Sequence, residues 1–293
     1  MVGCSRDALD NTGAVPRAGR PDTISQRNRP GIRSDPGAGE ESLEILPGIH
    51  TIPGVKLSKA YLIEGETLAL VDAGLPWHGR TVLRYIASIG RKPEELSHIL
   101  VTHSHPDHTG GIYRVAKKTG AAVVAHGDDT RSRRGGGSTL GYMGIFGALP
   151  VPMPFLGRMP IVTPVQDGEL LSIGGGIRVI HTPGHTDGSV CFLDESTKTL
   201  FSGDTIFSDG TRISRSVPFF GYDDQAYRNS LKRLAGMDFD AVCGGHGSPL
   251  LDGGAGILGE LLDARPDPPT WGRFLMSMPR RLRRSLPLTG EDP

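Results

Sequence analysis

Thr102-His103-Ser104-His105-Pro106-Asp107-His108-Thr109-Gly110-Gly111 is the stretch whose reading decides the fold. Ahead of it, Ile99-Leu100-Val101 is an apolar run of the kind a buried strand makes, and behind it Ile112-Tyr113-Arg114-Val115-Ala116 has helical spacing. The motif therefore falls on a strand-to-helix turn. His103 and His105 stand two residues apart, so an extended backbone points both to one side. Asp107 and His108 follow at the start of the helix, where the chain has turned back towards them. Three imidazoles and a carboxylate within six residues are nitrogen and oxygen donors of the kind zinc takes. The plainer reading is a scatter of surface histidines. It fails because the rest of the chain holds matching ligands.

Those ligands are His185 in Thr182-Pro183-Gly184-His185-Thr186-Asp187-Gly188-Ser189, Asp204 in Phe201-Ser202-Gly203-Asp204-Thr205, and His246 in Cys243-Gly244-Gly245-His246-Gly247. Each lies just past a strand-like apolar run: Ile177-Arg178-Val179-Ile180, Thr199-Leu200-Phe201 and Phe239-Asp240-Ala241-Val242. Glycine close to each lets the backbone approach a crowded site.

In this order, H-x-H-x-D-H followed by H, D and H, the pattern resembles the metallo-β-lactamase superfamily over about residues 43–264. The resemblance implies two adjacent metal sites, one held by His103, His105 and His185 and the other by Asp107, His108 and His246, with Asp204 bridging them. It implies two zinc ions per chain, iron or manganese being the other metals in play, with a water or hydroxide between them. A metal lowers the pKa of its bound water from 15.7 to about 7, which makes a nucleophile at neutral pH without an activated Ser or Cys. Asp107 and Asp204 would handle the proton while remaining ligands. Asp72, in Leu70-Val71-Asp72-Ala73-Gly74, matches the family's upstream acidic motif and would orient a ligand from behind. Its other reading is a turn carboxylate capping a helix that starts near Trp77.

Lys+Arg and Asp+Glu both number 32 in 293 residues, so no overall field argues for nucleic acid or an anionic membrane. Cys4, Cys191 and Cys243 form no disulfide framework, which points to a reducing compartment. No apolar run reaches the roughly 18 residues of a membrane span, and the N-terminus lacks a signal-peptide pattern. A cytoplasmic protein without stable membrane insertion is the expectation.

Along the chain, residues 1–42 are rich in Gly, Pro, Arg, Asp and Ser without apolar period and read as disordered. Short strands are expected at 43–46 and 50–52, a hairpin at 60–63 and 67–71, a helix over about 78–89, and a strand at 121–126 ending on a structural His126. Further strands are expected at 169–172, 177–182, 189–194, 198–202 and 239–243, with helices near 224–236 and 254–264. A doubly wound parallel sheet also alternates strands and helices. The hairpin-like pairs and the metal motif favour an α+β fold, a four-layer αββα metallo-β-lactamase sandwich at 43–264. The tail, 265–293, is Pro/Arg-rich. Its apolar face packs back on the domain or lies on a membrane or partner, the first being favoured.

Two stretches read as pocket walls. Residues 127–165 hold Tyr142, Phe146 and Phe155 and read as a lid or, equally, a small satellite core. Residues 216–222, with Phe219, Phe220 and Tyr222, follow Asp204 closely and would reach the rim. The resemblance then implies a hydrolase of a small-molecule ester, thioester or lactone, like glyoxalase II or the lactonases. Glyoxalase II carries a C-terminal helical domain whose basic residues bind glutathione, and with 47 residues after His246 a glutathione thioester is not the expected substrate. The alternatives are a persulfide dioxygenase on the same fold, with one iron, and a non-catalytic metal-binding protein.

Overall fold

The apolar runs become strands covered on both faces, which is why so few of them show a polar side. A computed structural model describes residues 44–130, 162–216 and 222–263. The expectations for 1–42, for the lid with Tyr142, Phe146 and Phe155, for Phe219 and Phe220, and for the tail from 265 lie outside the described residues.

The first sheet runs in sequence order through β1 (Glu44–Leu46), β2 (Ile49–Thr51), β3 (Tyr61–Glu64), β4 (Leu68–Val71), β5 (Leu96–Leu100), β6 (Ala122–His126) and β7 (Val162–Val165). Pairing is antiparallel as far as β4 and parallel from β4 to β7. Helices α1 (Gly79–Ser88), α2 (Pro106–Thr109), α3 (Ile112–Thr119) and α4 (Gly127–Thr130) belong to the parallel half. The second sheet is built from β8 (Leu170–Leu171), β9 (Ile177–His181), β10 (Val190–Asp194) and β11 (Thr199–Gly203), with a later strand parallel to β11. A third, small sheet joins β12 (Ile206–Asp209) and β13 (Ile213–Arg215) to a two-residue strand near the end. Then come α5 (Asp224–Ala235), β14 (Ala241–Gly244), which is the strand beside β11, β15 (Gly247–Ser248), which completes the small sheet, and α6 (Gly254–Asp263).

Strand periodicity sorts the buried side chains into three layers. Leu62, Leu68, Leu70, Ile99 and Val123 face α1 and α3, meeting Val82, Tyr85, Ile86, Ile112 and Val115. Their alternates Tyr61, Ile63, Ala69, Val71, Leu100 and Val124 face the second sheet, meeting Val179, Val190, Phe192 and Phe201. The opposite face of that sheet, with Ile180, Cys191, Leu193 and Val242, packs on Tyr227, Leu231 and Leu234 of α5 and Leu258 of α6. Helix, sheet, sheet, helix is the resulting order, as the sandwich expectation had it. Tyr61 and Phe201 pack across the central layer with ring centroids 5.5 Å apart.

The third sheet and β7 are not expected from the sequence. The strands of the third sheet have four, three and two residues, too short for a period to show. Strand β7 carries Pro164, which is tolerated because β7 is the edge of its sheet. Among the described residues no helix is long and apolar enough to cross a membrane.

Candidate metal centre

Each ligand-bearing loop leaves the C-terminal end of a strand, and Asp107 and His108 follow on the short helix α2. β5 leads into Thr102 and His103, β9 into His185 four residues on, β11 directly into Asp204, and β14 into Gly245 and His246. Because β11 and β14 are parallel, Asp204 and His246 emerge on the same edge. The backbone N–H of Val190 donates to the carbonyl of Thr102 at 2.9 Å, which brings the edges of the two large sheets together at this point. Short helix α2 opens with Pro106, whose missing N–H costs nothing at a first helical position. It packs on the loop after β4: Ala73 N–H donates to the carbonyl of His108, and a Cβ on Gly111 would stand 2.2 Å from the carbonyl oxygen of Ala73.

The seven residues converge. His103 Nε2, His105 Nδ1, His185 Nε2 and an oxygen of Asp204 form one group, and Asp107, His108 and His246 a second, with ligand atoms in each within 4.8 Å of one another. His105 Nδ1 lies 3.0 Å from His103 Nε2 and 3.0 Å from His185 Nε2. Asp204 lies between the groups. Its Oδ2 is 3.4 Å from His185 Nε2 and 3.3 Å from His246 Nε2, and its Oδ1 is 3.2 Å from His108 Nε2. Asp107 Oδ2 stands 3.7 Å from His108 Nε2 and 3.6 Å from His246 Nε2. A Cβ on Gly245 would sit 2.3 Å from Asp204 Oδ1, so only glycine fits there.

Groups behind the imidazoles fix which nitrogen faces inward. His108 Nδ1–H donates to Asp72 Oδ2 at 2.8 Å, and His246 Nδ1–H donates to the carbonyl of Leu57 at 2.6 Å. Thr102 Oγ1 donates to Asp72 Oδ2 at 2.7 Å and so must accept from His103 Nδ1, 3.1 Å away. His185 Nδ1 lies 2.8 Å from Ser216 Oγ. Four imidazoles thus turn Nε2 to the centre, the arrangement metal-binding histidines use. Asp72 also accepts the N–H of Thr102 at 2.9 Å. It contacts the ligand loop and caps no helix: the residue preceding α1 is His78, whose side chain makes no capping bond.

Electrostatics follows from this packing. Burial pushes His103 and His105 down, and His185 to about 4, with the Asp204 charge offsetting only part of it. Burial acts the same way on His108 and His246 and is the largest single effect, but the carboxylates around them together outweigh it and raise both, Asp204 and Asp107 acting on each and Asp72 also on His108. Burial would raise Asp204, yet His246, His108 and His103 hold its carboxyl well below the usual range. His108 Nε2 and Asp204 Oδ1, 3.2 Å apart, are buried and make no hydrogen bond among the described residues. A single proton on His105 Nδ1 can serve only one of its two neighbouring nitrogens. Buried acceptors facing one another are costly unless a cation lies among them. The donor set, five imidazoles and two carboxylates, therefore fits divalent metal ions of the zinc type.

Sequence reasoning did not find Leu57, Thr102, Asp129 or Ser216 behind the site. Leu57 acts through a backbone carbonyl and has no sequence signature. Tyr222, expected at the rim, lies against Tyr227 of α5 with ring centroids 5.3 Å apart and donates to Asp224 Oδ1 at 3.3 Å. His126 and His181, close to Asp128, make a stack 13° from parallel at 3.9 Å. With Asp128 they form a third group whose ligand atoms lie within 4.8 Å of one another, apart from the seven converging residues.

Comparison with known proteins bears on the same residues. The family model described as the metallo-beta-lactamase superfamily matches residues 53–246. A hydroxyacylglutathione hydrolase of Shewanella pealeana is 33% identical over 185 residues, covering 62% of this chain and 57% of its own length. A thioesterase, pkgB, of Emericella nidulans is 28% identical over 210 residues, covering 70% of this chain and 49% of its own. The chain thus spans about half the length of the curated relatives it matches. Among solved structures, a metallo-beta-lactamase family protein from Thermus thermophilus superposes with a TM-score of 0.57 at 26% identity, over 74% of this chain and 79% of that one.

Proposed function

This chain belongs to the metallo-β-lactamase superfamily, and on that premise we propose that it is a dinuclear metal-dependent hydrolase of a small-molecule ester, thioester or lactone. The observation that carries the reading is the convergence of five imidazole nitrogens and two carboxylates on one spot, where His108 Nε2 and Asp204 Oδ1 make no hydrogen bond among the described residues. His103, His105 and His185 would hold one ion and Asp107, His108 and His246 the other, with Asp204 lying between the two groups. Two such ions supply Lewis acidity for a carbonyl oxygen and water acidic enough to attack at neutral pH.

The rest falls to the chain's own groups. The acceptors behind the four Nε2-facing imidazoles keep their lone pairs aimed inward, so the site needs little rearrangement on loading. Asp204, 7% exposed, balances part of the metal charge. Against 7% for Asp204, Asp107 has 28% of its side chain exposed. We assign it the proton taken from water and passed to the departing alcohol or thiol. Phe207 stands edge-on to His246 at 5.0 Å, and Leu57, 45% exposed, holds the same imidazole through its carbonyl. This apolar surface beside the ligands suits an acyl chain. The names of the two relatives support a thioester or ester. Balanced charge offers nothing to nucleic acid. A cytoplasmic location goes with this reading.

Metal analysis of native-purified protein and hydrolysis of a thioester, lactone and ester panel test the proposal. The expected result is about two zinc ions per chain, with Asp107→Ala lowering kcat by at least about 100-fold at unchanged circular dichroism. Unchanged activity in Asp107→Ala would refute the assigned site. A second reading has one observation in its favour: His103, His105, His185 and Asp204 bring their ligand atoms within 4.8 Å of one another and could hold one ion by themselves. About one iron per chain, with oxygen consumed on a persulfide, would put that dioxygenase reading first.

A further inference from the structure

Asp129, on α4, is 7% exposed and donates no atom to either metal-binding group. Its carboxylate is used up elsewhere. Oδ2 accepts the N–H of Ser104 at 2.7 Å and the hydroxyl of Thr186 at 2.9 Å, and Oδ1 accepts the N–H of Gly188 at 2.9 Å. Ser104 stands between His103 and His105, and Thr186 directly follows His185. One buried side chain is therefore bonded next to all three histidines of one group, across loops that leave two different sheets. Backbone packs equally close at the same point: a Cβ on Gly188 would lie 2.4 Å from the Asp129 nitrogen. The second group has separate supports. His108 rests on Asp72, His246 on the Leu57 carbonyl, and the carbonyl of Asp107 accepts from Ser58 Oγ.

We propose that Asp129 is a positioning residue that clamps the loop carrying His103 and His105 to the His185 loop and so sets the affinity of the three-histidine site alone. The proposal rests on the dinuclear reading above. His105 Nδ1 is 3.0 Å from its partners in both loops, a spacing that a small slip between the loops would open. An Asn at 129 keeps the shape but turns an NH2 towards one set of donors, Gly188 N–H or Ser104 N–H. An Ala removes all three bonds.

The experiment is zinc and cobalt binding in competition with a chromophoric chelator, on the full chain, for the wild type, Asp129→Asn and Asp129→Ala. One of the two ions should bind about 10- to 100-fold more weakly, more so in the Ala variant, while the other keeps its affinity. Two backgrounds identify the weakened ion. In His246→Ala, where the remaining ion sits at the three-histidine group, adding Asp129→Asn should weaken it. In His185→Ala, adding the same change should leave the remaining ion unaffected. Val82→Ala, in the remote helix layer, controls for lost stability and should lower the melting temperature without changing metal affinity. Should Asp129→Ala fail to fold, Asp129→Asn carries the test. Wild-type affinity for both ions in the Asn variant, or equal loss of both, overturns the proposal while the dinuclear reading stands. A wild-type chain that binds no metal overturns both.

Discussion

Asp72 and Leu57 are non-glycine residues held in the left-handed region, at φ +56° and φ +77°. Each such residue costs about 1–3 kcal/mol and persists only where its surroundings hold it in place. Both touch ligands of one group directly, Asp72 through His108 and Leu57 through His246, and Asp72 reaches His103 of the other group only through Thr102. Asp72 accepts three hydrogen bonds and presents no donor. In Asp72→Asn an amide NH2 would oppose either Thr102 N–H or His108 Nδ1–H. We expect about 10- to 100-fold weaker binding of one metal, together with about 1–3 kcal/mol lost from stability. Chelator competition and urea titration of the metal-free protein read the two effects separately. Unchanged metal affinity would reduce Asp72 to a turn residue.

At the level of elements, α5 is the link between the outer layer and the site. Asp223 caps it by accepting the N–H of Ala226 at 3.0 Å, and Tyr227, one turn in, reaches beyond the helix. The Tyr227 hydroxyl accepts the N–H of Ser216 at 2.7 Å and donates to the carbonyl of Thr205 at 2.7 Å. Ser216 is the residue behind His185, and Thr205 follows Asp204. Tyr227→Phe leaves a buried N–H and a buried carbonyl unpaired, which should cost about 1–3 kcal/mol in urea unfolding. The rings of Tyr222 and the core around α5 stay as they are, so circular dichroism should not change. A loss below about 0.5 kcal/mol would mean that water replaces the hydroxyl.

For the molecule as a whole, the covered strands leave thiols and phenols with no water. Burial pushes the Cys191 thiol up to about 11 and that of Cys243 further, and burial raises Tyr61 and Tyr227 as well. An unfolded cysteine ionises near pH 8.5. Below that pH both states keep the proton and the stability is intact. Above it the unfolded chain releases a proton that the folded chain holds, so stability falls as pH rises towards 11. Cys191 alone accounts for about 3 kcal/mol of this loss. The urea midpoint should therefore drop between about pH 8 and pH 10.5, and Cys191→Ala should flatten the decline. A flat profile in the wild type would mean that these thiols are not sealed in the core.

The seven converging side chains stand beside local signals: His103, His105, Asp107 and His108 cluster in one short run after an apolar stretch, and His185, Asp204 and His246 each follow an apolar run and a glycine. Helix ends and the strands of the two large sheets other than β7 were legible for the same reason, since periods of 2 and 3.6 are properties of neighbouring residues. The three-layer core followed from runs apolar on both faces. Only the tertiary structure decided what stands behind the ligands. Leu57 meets His246 across 189 positions, and Asp129 meets Gly188 across 59. Neither pair leaves a trace in spacing or composition. The small third sheet belongs with them, because two-residue strand β15 is held by its register with β12 and not by any pattern of its own. Sequence period records which face a residue takes; which distant atoms meet there is fixed by how the layers stack.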